Sequence, residues 1–88
     1  MKNLENQIIN DIIKNKILVK EIKEADADDL FFFHYGLGAY IRNHYLWSNP
    51  ENIKKLSALY RTDNVDSISS CIVENLYFKI TGKKIKRD

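Results

Sequence analysis

Apolar residues recur along this chain at helical spacings almost throughout. Leu4, Ile8 and Ile12, with Ile9, Ile13 and Ile17, follow one another at steps of three and four. That spacing predicts an amphipathic helix from about Asn3 to Ile17, with Asn6, Asn10, Lys14 and Asn15 on its polar side. Leu18 to Glu24 reads either as the end of that helix or as a short extended link, with Lys20 to Glu24 a polar connection. From Leu30 to Ile41 apolar residues surround the helix axis on nearly every side. A helix without a polar face is usually buried on several sides, so a central helix is expected over about Ala27 to Tyr45. Asp26 or Asp28 is placed to cap it. A strand over Leu30 to Tyr35 is the competing reading, but the run continues too long without a turn signal.

Ser48-Asn49-Pro50-Glu51 opens the next helix, because Pro is tolerated at a first helical position that lacks an intrahelical partner. It should run from Pro50 to Tyr60, with Ile53, Leu56, Leu59 and Tyr60 inward. Thr62-Asp63-Asn64 gives a turn and a new cap. The last helix should cover Val65 to Thr81, on a stripe of Ile68, Ile72, Leu76 and Ile80. Gly82 fits its end, where positive φ is needed. The expected fold is therefore all-α: one domain over residues 1–88, a small bundle of about four helices around the helix at 27–45, with a frayed basic tail at 83–88.

Composition narrows the functions this frame can serve. Eighty-eight residues bury one modest core, and a chain this short is only marginally stable alone, so self-association or a partner is a natural supplement. The 44% apolar and 30% charged fractions are those of a folded globule. The Ile, Lys and Asn bias fits a low-GC bacterial or phage genome. A net charge of +2 is too small to argue nucleic-acid binding from bulk electrostatics. An acidic cluster at Asp26, Asp28 and Asp29 and a basic run at Lys83, Lys84, Lys86 and Arg87 read as solvated ends. Cys71 is the only cysteine, which excludes an internal disulfide, and its apolar neighbours suggest a buried small residue. There is neither a signal peptide nor a membrane-length apolar run, so a cytoplasmic protein with no membrane association is expected.

Chemistry is concentrated between His34 and Trp47. His34, Gly38 and Arg42 fall at four-residue steps and form one slanted stripe on a helix. Gly36 and Gly38 point to different sides of the helix, and each should let another group approach closely; alternatively, Gly38 opens a recess between imidazole and guanidinium. Such a recess would suit an anion. The structural alternative is a hydrogen-bonded core His34 and an Arg42 paired with Asp66 or Glu74. Trp47 staples the helix end to the core or anchors a partner, since Trp and Tyr dominate interface hot spots. Five tyrosines are many for so small a domain and favour an interaction surface. His34 and His44 are not a chelating pair: ten residues apart, they point about 80° apart around the helix. No nucleophile elbow or phosphate-binding loop is found. An enzyme, a metal and a cofactor are not expected.

His34-Tyr35-Gly36-Leu37-Gly38, then Ile41-Arg42-Asn43 and Leu46-Trp47, resembles a family of small bacterial proteins of unknown function. That family shares a His-aromatic-Gly-x-Gly-x-x-Ile-Arg-Asn core followed by Leu-Trp. Asn64 to Ser69 resembles its later Asp- and Ser-rich stretch. The likeness covers about Asp28 to Gly82. The gap before Leu46 is one residue shorter here, and the family's His-Pro and one acid are missing from the later stretch. The resemblance implies that His34, Arg42, Asn43, Trp47, Asp66 and Ser69 gather in one place, with an Arg42–Asp66 ion pair beside Ser69. It implies no activity. Two expectations follow. The first is a non-enzymatic protein acting through another protein, or through a second copy as a homodimer, in the manner of an immunity protein, antitoxin or inhibitor. The alternative is a module using His34 and Arg42 to bind a small anion or nucleic acid.

Overall fold

In a computed structural model, residues 2–25 and 35–83 are described, with side chains from residue 4 onward, and all regular structure among them is helical. The expected cap at Asp26 or Asp28, the first half of the 27–45 helix, His34, and the tail beyond Lys83 lie outside these residues.

The helix expected to end at Ile17 breaks earlier, and the segment read as a helix end or link to Glu24 is itself helical. Helix α1 covers Lys2–Ile13 and α2 covers Lys16–Glu24. Asn15, expected on a polar helical face, instead adopts an extended conformation and caps α2, its side chain accepting from the Leu18 amide at 3.1 Å. Asn competes for backbone donors in this way, which makes it a better cap than a helix interior residue. The break resets the helical phase. Ile17, expected on the buried stripe, is 75% exposed, while Ile22 takes the core position one turn beyond the half-buried Leu18.

Residues 35–41 form helix α3, which runs directly into a π-helical turn, Arg42–Leu46. The Trp47 amide closes that turn by donating to the Arg42 carbonyl at 2.8 Å, an i to i+5 bond. At α-helical spacing Ile41 and Leu46 would point about 140° apart. The wider turn brings residues five apart toward one side, and both are fully buried. Tyr35, Gly36 and Tyr40 remain exposed, so the described half of this segment buries one face and not several.

Helix α4 covers Pro50–Tyr60 and α5 covers Val65–Thr81, both at the expected boundaries. Asn64 caps α5 by accepting from the Ser67 amide at 3.1 Å, and Gly82 ends it with φ 74°. Helix α4 ends without a glycine: Arg61 itself takes the left-handed conformation, φ 58°. The core joins Ile8, Ile9 and Ile12 of α1, Ile22 of α2, Leu37 and Ile41 of α3, Leu46, Leu56 of α4, and Ile68, Ile72, Val73 and Leu76 of α5. Among the described elements α5 packs most widely, touching α1, α2, α4 and the π turn. Cys71 on its flank is half-buried rather than enclosed. No helix of the described residues is long and apolar enough to cross a membrane.

Candidate functional site

Four of the residues singled out in the sequence meet where α3 passes the start of α5. Arg42 donates from Nη1 to the Ser69 hydroxyl at 2.9 Å, and its Nε lies 3.4 Å from an Asp66 carboxylate oxygen. Ser69 is fully buried and donates in turn to the Asp66 main-chain carbonyl at 2.9 Å. Gly38 makes this possible. A Cβ there would stand 3.1 Å from Arg42 Nη1 and 3.7 Å from Ser69 Oγ, so the guanidinium lies against a bare backbone. Asp66 in the first turn of α5 is also favoured by the helix dipole.

Of the two readings of Gly38, the close approach of another group holds, and the alternative recess is filled from within the chain. The carboxylate of the ion pair is largely open to water, so the pair alone stabilises by less than about 1 kcal/mol. The buried Ser69 hydroxyl gives the cluster its definition. Asn43 and Trp47 do not join it: both are exposed, and no polar contact links them to it among the described residues. Trp47 does not staple the helix end. The π turn hands that role to Leu46 and turns the indole outward, leaving it 59% exposed.

A second surface lies on the solvent side of the same segment. Tyr35 is 76% exposed. Tyr40 is exposed too, and its ring stacks on His44 with centroids 4.0 Å apart. Tyr45 meets Tyr40 edge-on at 6.2 Å. Beneath Tyr40 lies a cavity of about 470 Å³, lined by Asp11, Ile12, Asn15, Leu18, Gly36, Leu37 and Tyr40.

Two tyrosine–carboxylate contacts went unread in the sequence because each joins residues far apart in the chain. The Tyr45 hydroxyl donates to Asp11, tying the π turn to α1, and the Tyr45 carbonyl accepts from the Asn52 side-chain Nδ2 at 2.9 Å. The Tyr60 hydroxyl donates to Glu5, which also accepts from Asn75 at 3.1 Å. Burial first, then the carboxylate accepting the proton, raises both phenols well above the ordinary tyrosine range. Their only periodic signal was the helical face carrying each residue. Among the described residues no group of three or more His, Cys, Asp or Glu could hold a metal ion.

No protein-family model, curated protein or solved structure matches the chain.

Proposed function

We propose that this chain acts without catalysis, by binding another protein through the exposed aromatic face of α3 and its π turn, in the manner of an immunity protein, antitoxin or inhibitor. One observation carries the reading: Tyr35, Tyr40 and Trp47 stay exposed within thirteen consecutive residues of a chain that has few large apolar groups to spare. Burying one such side chain would stabilise a small domain by roughly 1.5–3 kcal/mol. Leaving three in water is a cost the fold does not need, unless a partner covers them. Large, stiff aromatic side chains are also those that concentrate binding energy at interfaces. The resemblance to small bacterial proteins of unknown function belongs to the same proposal; of the gathering it implies, the Arg42–Asp66 pair beside Ser69 is present, while Asn43 and Trp47 stand apart. Arg42 already donates to Ser69 and faces Asp66, which weighs against the anion-binding alternative.

The test is affinity capture from the source cell's lysate with the wild-type chain and a Tyr40→Ala/Trp47→Ala variant as parallel baits. The expected result is one protein enriched repeatedly by the wild type and lost with the variant. Sedimentation of the purified chain over a wide concentration range covers the homodimer, which the same double substitution should dissociate. A chain that stays monomeric and enriches nothing contradicts the proposal.

A further inference from the structure

Among the described residues nothing packs against Gly36 to require a glycine there. It is not in the left-handed region, and a Cβ built on it would meet nothing within 4 Å among the described residues. Glycine in a helix interior is destabilising relative to alanine, so its presence there is informative where neither φ nor packing requires it. Gly38, two residues on, is accounted for by Arg42. What distinguishes Gly36 is the cavity it borders.

That cavity has a definite chemical character. Ile12, Leu18 and Leu37 give it an apolar floor, and the Tyr40 ring forms one wall. Among the described residues, Asp11 is the single charged side chain on its lining. Tyr45 donates to one Asp11 oxygen, which fixes the carboxylate at the rim. Lys14 borders a neighbouring hollow, on the side of Asp11 shared with Tyr45 and Asn52. The volume of about 470 Å³ lies within the range of small-molecule clefts, roughly 300–1,000 Å³. An apolar floor, a carboxylate and an aromatic face together recognise an aliphatic chain ending in a cation.

We propose that the cavity beside Gly36 binds an amphipathic cation, an alkyl stem tipped by an ammonium group, with the stem over Gly36 and Leu37 and the charge at Asp11. The site stands on its own geometry, so its failure would leave the aromatic docking surface untouched.

The experiment is a set of amide NMR titrations of the full chain with n-hexylamine, n-hexanol and hexanoate. Hexylamine should shift the Asp11, Gly36, Leu37 and Tyr40 resonances and bind more tightly than hexanoate. Because Asp11 is exposed, Asp11→Asn should weaken the amine by only about threefold, while narrowing its advantage over hexanoate. Gly36→Leu fills the cavity and should abolish the shifts while the spectrum stays dispersed. Adding Nα-acetyl-lysine methylamide separates the sources: tighter binding than hexylamine points to a lysine presented by a protein, weaker binding to a free amine. The proposal is overturned if hexanoate binds as well as the amine, if the shifts fall elsewhere or are absent, or if Gly36→Leu leaves them unchanged.

Discussion

Adding one methyl group at Gly36 and at Gly38 asks two different questions of the same helix. Gly36→Ala places its Cβ in open space, so the helix should gain about 1 kcal/mol, or roughly 4–8 °C in Tm. Gly38→Ala must push back a guanidinium that Ser69 holds, and none of that gain is expected. Paired urea melts decide the matter, and equal gains at both sites would show that Arg42 is not held in place. Ser69→Ala removes a buried hydroxyl that both donates and accepts. It should cost about 1 kcal/mol by the same assay. Of this cluster, the helical stripe through Gly38 and Arg42 was legible from spacing. That Ser69 would be its buried partner came only from the resemblance, because residues 27 apart in the chain leave no periodic trace.

Helix ends decide how these residues are presented. Asn15 caps α2 and shifts the phase of everything after it, so Asn15→Ala should destabilise by about 1 kcal/mol in chemical denaturation. An unchanged midpoint would mean that α1 simply extends through the site. The boundaries of α4 and α5 were readable because Pro50, Asn64 and Gly82 are residues whose local chemistry fixes a start or a stop. The division at Lys14–Asn15 was not, since the isoleucine stripe runs straight across it. The π turn was equally silent: its residues, Arg42 to Leu46, are compatible with ordinary helix, and only packing selects the wider turn. Its consequence is measurable. Leu46→Ala should cost about 2–5 kcal/mol, whereas Trp47→Ala should leave stability nearly unchanged, the reverse of what a stapling tryptophan would give.

For the whole molecule, long-range tyrosine–carboxylate contacts bind α1 to the other elements, and they set a pH dependence. Tyr60 and Tyr45 titrate higher when folded than when unfolded. A raised folded pKa contributes stability that is fully present below the unfolded value, about 10 for tyrosine, and is lost as pH rises through the folded one. Urea midpoints should therefore hold near neutrality and fall above about pH 10, with Tyr60→Phe giving a flatter profile. A midpoint that rises with alkalinity would contradict both contacts. Among the described residues the inward faces are satisfied while aromatic residues on α3 and after the π turn face water, and that imbalance is the basis for the proposed protein partner. Trp47 is the single tryptophan, so its fluorescence reports without ambiguity on the exposed end of the proposed docking segment. Emission and iodide quenching, measured on the free chain and on its complex with a captured partner, test the assignment most directly. The account predicts water-like, readily quenched emission in the free chain, and blue-shifted, protected emission in the complex. Emission already protected in the free chain, or unchanged on complex formation, would contradict it.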